Sequence, residues 1–100
     1  MIFYEVTLEV DPSLAAELEK YMRHQHIPAI LRTGCFRHIH FDRASSTRFR
    51  TCYEAESAAD LERYLRDHAP ALRLEFQGEF PDQVTVTRDT WVEQESWGAG

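Results

Sequence analysis

Nowhere does the chain carry an apolar run near the ~18 residues that cross a bilayer, and its start, MIFYEVTLEV, alternates where a leader peptide would be continuously apolar. No membrane association is therefore expected, and the cytoplasm is the expected compartment. Basic charge is also short. A formal net charge of −6 leaves no field to displace phosphate counterions, so nucleic acid is not an expected partner. Before the tail, glycine occurs only as Gly34 and Gly78. Never clustered, they exclude a phosphate-cradling loop. Cysteine is limited to Cys35 and Cys52, at most one disulfide, and the strand phases below put the two thiols on opposite sheet faces. Both are expected to be reduced.

What is present is one domain's worth of patterned sequence, 100 residues long, read as a single domain over residues 1–95 with a loose tail at 96–100. From Ile2 to Val10, Ile2, Tyr4, Val6, Leu8 and Val10 share one face, and Phe3, Glu5, Thr7 and Glu9 the other. That period of two predicts a strand. Asp11-Pro12-Ser13 then opens a helix carried by Leu14, Leu18, Tyr21 and Met22. Pro28 lacks an amide donor and disfavours helical geometry at Ile27, so an interruption is expected at His26-Ile27-Pro28 before a further turn closed by Gly34.

Alternation returns over Cys35–Phe41, with Cys35, Ile39 and Phe41 against Phe36, His38 and His40. After a polar loop, Thr47–Glu54 returns as a strand, and a register pairing Ile39 with Phe49 is assumed. Ser57 and Asp60 start a second helix, with Leu61, Tyr64, Leu65 and Leu72 as its stripe, and His68-Ala69-Pro70 echoes the first proline device. The last strand runs from Val84 to about Glu93; Val84, Val86, Arg88 and Val92 share one face, and Thr85, Thr87, Asp89 and Trp91 the other.

The order is β-α-β-β-α-β in two similar halves, the ferredoxin-like α+β plan: a four-stranded antiparallel sheet with two helices on one face. The uncovered face would expose Phe3, Phe36 and Trp91 amid polar groups. A homodimer closing two such sheets into an α/β barrel would bury them.

Three stretches, MIFYEVTLEVD, HIPAILRTGCF and DLERYLRDHAPALR, resemble a group of small bacterial proteins known only as domain of unknown function family 4286. The likeness extends to about Trp91. It implies a ferredoxin-like, dimeric α/β-barrel fold and no particular reaction, cofactor or catalytic residue.

Chemistry-bearing side chains gather on the uncovered face. Glu5, His38 and His40 are the candidate catalytic groups; Phe3, Thr7, Phe36, Arg50, Cys52, Asp89 and Trp91 are the candidate ligand-binding set. The competing reading makes the same charges cross-strand ion pairs. His38 and His40 lie about 6.5–7 Å apart along one strand face, a spacing that can hold a metal with Glu5 or Cys52 as third ligand. Arg48 and Arg50 beside them oppose a cation, so no metal and no cofactor is expected; haem through an axial histidine rests on fold analogy alone. Cys52 as a nucleophile has no motif behind it. His26 and His68 are expected to bond free helix carbonyls. Two functions remain open. One is a homodimeric module binding a small hydrophobic ligand or serving interaction; the other is a cofactor-independent isomerase or monooxygenase-like enzyme.

Overall fold

In a computed structural model that describes residues 1–100, strands β1 (Ile2–Val10), β2 (His38–Arg43), β3 (Arg48–Ala55) and β4 (Val84–Val92) form one sheet in the order β2-β3-β1-β4. All neighbours are antiparallel, which with the element order is the ferredoxin-like arrangement. No helix is long and apolar enough to cross a membrane.

The first helical layer starts at a short 3-10 turn, Pro12–Leu14, where the Asp11 carboxylate accepts from the Ser13 amide at 3.0 Å. It continues as α1 (Ala15–Tyr21), a π-helical turn (Met22–His26) and α2 (Ile27–Leu31). Pro28 therefore does not break the rod. Ile27 keeps helical angles, its amide reaching back to the Met22 carbonyl, so the missing proline donor is absorbed by one wider turn. Gly34 adopts φ 74, as a left-handed cap requires.

The second layer differs. Ser57 caps α3 (Ala58–Asp67) by accepting from the Asp60 amide at 3.2 Å. At His68 the chain leaves helical geometry, and α4 (Ala69–Glu79) starts anew with Pro70 in its first turn. The two proline devices thus build a bulge in one half and a break in the other.

Two further sequence expectations need correction. Ile39 pairs with Tyr53, not Phe49, because β2 runs on to Arg43 before the chain turns. That displacement is even, so the paired side chains of β2 and β3 keep their assigned faces. Phe36 does change sides: β2 starts only at His38, Cys35 and Phe36 precede the pleat, and both are buried. Phe36 packs on Tyr53 and Tyr64 with ring centres 5.2 and 4.8 Å apart, in the core rather than on the uncovered face. Cys35 and Cys52 are free thiols.

Between sheet and helices the core falls into two clusters. One gathers Tyr4, Ile30, Phe36, Tyr53, Ala55, Leu61 and Tyr64; the other Leu8, Val10, Leu18, Tyr21, Met22, Phe49 and Phe80. Half-buried Val6 touches both. Helix α4 packs more closely on α3 than on any strand, leaving the ground between the clusters incompletely filled.

Candidate functional site

That unfilled ground is a cavity of about 470 Å³, large enough for a small organic molecule. The alternation of β1 turns Tyr4, Val6 and Leu8 into it, while α4 contributes Leu72 and Phe76 from one face, and Phe80 follows at its C-terminal cap. Met22 and His26 close it from the π turn. Tyr53 and Tyr64 form a further wall, and Arg73, Gln77 and Arg88, all exposed, stand at its mouth.

Charge in the cavity has one sign. The chain is acidic overall, yet the only fully charged side chains lining the cavity are Arg73 and Arg88. Arg88 points inward because it occupies the apolar phase of β4, directly opposite Val6. Arg73 donates from Nη2 to the Tyr4 hydroxyl at 3.0 Å. Burial pushes the Tyr64 phenol up to about 12 and the Tyr53 phenol higher than its ordinary value, so both stay protonated and keep a hydroxyl to donate.

His26 is held between Tyr21 and Phe76, ring centres 5.8 and 5.5 Å away, stacked on the first. Burial lowers its pKa from 6.5 to about 4, and its buried Nδ1 has no hydrogen-bond partner. It does not cap a carbonyl as expected, because the π turn carries the ring down onto the aromatic layer. His68 shows the same preference, stacking on Tyr64 at 6.5 Å and 28°.

The uncovered face holds the other predicted residues. Phe3, Glu5 and Thr7 pair across β1–β4 with Trp91, Asp89 and Thr87, and across β1–β3 with Glu54, Cys52 and Arg50. His40 sits opposite Cys52, and His38 opposite Glu54. The structure thus brings together Phe3, Glu5, Thr7, His38, His40, Arg50, Cys52, Asp89 and Trp91, and excludes Phe36. Arg50 pairs with Asp42 at 3.1 Å and Glu5 at 3.7 Å, Arg48 with Glu9 at 3.6 Å, and His40 with Glu54 at 3.9 Å. A depression of about 260 Å³ there is lined mostly by polar and charged side chains, among them Glu5, Asp42, Arg48 and Arg50. Burial raises the Cys52 pKa, helped by Glu5 and Glu54, which suppresses the nucleophilic thiolate.

Sequence reasoning assigned Tyr4, Tyr53, Tyr64, Leu72 and Phe76 to packing or passed over them, and gave Arg73 and Arg88 no role. One signal was available: an arginine at the third position of the apolar phase Val84, Val86, Arg88.

The model of the family described as Domain of unknown function (DUF4286) matches residues 1–94. No curated protein sequence matches the chain. Several solved structures are similar at low identity. HapK from Hahella chejuensis has a TM-score of 0.75 at 11% identity, with 100% of both chains covered. A dimeric ferredoxin-like protein from an uncultured marine organism has a TM-score of 0.75 at 6% identity, covering 99% of this chain and 100% of that one. SnoaB, a cofactor-independent oxygenase from Streptomyces nogalater, has a TM-score of 0.69 at 15% identity, covering 95% and 94%. At such identities the likeness establishes the fold.

Proposed function

Because the chain belongs to the DUF4286 family, which brings a fold but no reaction, we propose a function from the cavity itself: binding of a small hydrophobic molecule that carries one anionic or strongly hydrogen-bonding oxygen. The single observation behind this is the cavity of about 470 Å³, walled mainly by apolar side chains, with Arg73 and Arg88 as its only full charges. An aromatic or acyl body matches the walls. A carboxylate, phenolate or polarised carbonyl matches the guanidinium groups and the protonated Tyr64 phenol.

The assembly we infer is a homodimer through the uncovered sheet face. Trp91 there is 56% exposed beside half-buried Phe3, among oppositely charged side chains able to pair with a second copy. Thr7, Arg50, Cys52 and Asp89 belong to the same face, as do Glu5, His38 and His40. A dimeric protein among the structural neighbours supports this reading.

A second reading, a cofactor-independent enzyme, is favoured by His26: a neutral imidazole with an unpartnered nitrogen, lining an apolar cavity, has the properties of a proton acceptor.

Anilinonaphthalene sulfonate, an apolar body bearing one anion, tests the binding reading by fluorescence titration. Saturable binding to the native protein is expected, with loss on filling the cavity by Val86→Trp at unchanged melting temperature. Equal binding by wild type and Val86→Trp refutes it.

A further inference from the structure

On the opposite side of the sheet from the cavity, three potential ligands converge. His38 and Glu54 are direct cross-strand partners, and His40 lies two residues along the same face. The ring centres of His38 and His40 stand 4.5 Å apart, His40 Nε2 is 3.9 Å from Glu54 Oε2, and one donor atom from each residue lies within 4.8 Å of the others. We propose that His38, His40 and Glu54 form a binding site for a divalent transition-metal ion of the zinc class.

The chemistry of the donors selects the ion. Two imidazole nitrogens and one carboxylate suit Zn²⁺ and its neighbours, whereas Mg²⁺ and Ca²⁺ require an all-oxygen shell. Zinc–ligand bonds of about 2.0–2.2 Å place neighbouring donors closer together than they stand here. In the single chain both imidazoles are exposed, so side-chain rotation there can close that difference with the strands in place. Three ligands leave a fourth coordination position for water or a further donor.

Electrostatics does not oppose the site in the way the sequence suggests. Arg50 is turned onto Asp42 and Glu5, Arg48 onto Glu9, and Arg37 onto Glu56 at 3.7 Å. Each of these guanidinium groups is thus matched by a carboxylate outside the ligand set, while the ion pair that Glu54 makes is with His40. With neutral histidines the three ligands carry one net negative charge, an arrangement a cation completes.

Cys52, opposite His40, is the nearest soft donor and is not one of the converging three. It makes the proposal discriminating. Native mass spectrometry of the full chain with added Zn²⁺ should show one ion per chain, and isothermal titration should show affinity weakened by about tenfold or more in His40→Ala and in Glu54→Gln. Cys52→Ala should bind as the wild type does. With Co²⁺ as the probe, the spectrum should lack a thiolate-to-cobalt charge-transfer band. Circular dichroism identifies any variant that fails to fold, and His38→Asn then replaces it as a softer ligand deletion. No binding by the wild type, equal binding by the His40 and Glu54 variants, or a thiolate band lost in Cys52→Ala would each overturn the assignment. The anionic-probe titration of the cavity uses different residues, so the two proposals fail separately.

Discussion

Arg73 of α4 hydrogen-bonds the Tyr4 hydroxyl of the central strand β1 at 3.0 Å, joining residues 69 positions apart at the mouth of the cavity. This contact ties the loosely seated helix to the sheet and orients a guanidinium toward the space where a ligand would lie. Arg73→Met should therefore act on two readouts. Loss of a hydrogen bond to a charged donor costs about 1.5–3 kcal/mol at most, and the exposure of Arg73 places this case at the low end. Binding of an anionic probe should weaken clearly more than that of an uncharged analogue. Equal weakening for both probes would show that Arg73 only braces the helix.

The half-buried His26 ring, its Nδ1 fully shielded, sets a pH dependence. In the folded chain its pKa is about 4, against 6.5 ordinarily, so the unfolded state binds a proton more readily. Stability is then independent of this group above pH 6.5, falls as pH drops toward 4, and levels off below. The shift corresponds to about 3 kcal/mol across that window. Asp11 and Asp67, whose pKa values are lowered by hydrogen bonds from Ser13 and Arg66, add their loss only at still lower pH. Urea titrations at pH 7 and pH 4.5 should show the difference in wild type and little of it in His26→Phe. An unchanged slope in the variant would assign the effect elsewhere.

Much of this was legible in the sequence, for physical reasons that also mark the failures. Alternation in β1 and β4 gave their faces outright, because one side of each must meet the helices. Phe36 misled because an alternating pattern does not say where pleating begins, and the turn after Gly34 buries two successive residues, Cys35 and Phe36. Pro28 misled because a lost donor can be absorbed by a π turn as well as by a break. The cavity was illegible. Leu72 and Phe76 carry ordinary core spacing, and only the stand-off of α4 from the sheet turns them from filling into lining.

Phe49 reports on the packed half of that core. It is 2% exposed on β3 and stacks on Phe41 with ring centres 5.7 Å apart. Phe49→Ala should cost about 3–5 kcal/mol, enough to unfold much of a marginally stable domain. Chemical denaturation measures it, and a loss below 1 kcal/mol, on the scale of a surface substitution, would contradict this packing.

The uncovered face makes the last prediction. Phe3 and Trp91 are adjacent across β1–β4, Trp91 is 56% exposed, and helices cover only the other side of the sheet. An interface of two sheets would desolvate both rings together, so a charge at the half-buried position should be worse than one at the rim. Phe3→Glu should convert the proposed dimer to monomer at micromolar concentration in size-exclusion chromatography with light scattering. Glu9→Lys, at the far end of the same strand face and paired only with Arg48, should leave the mass unchanged. If wild type itself elutes as a monomer at that concentration, the sheet face is wet and the homodimer inferred through it is refuted.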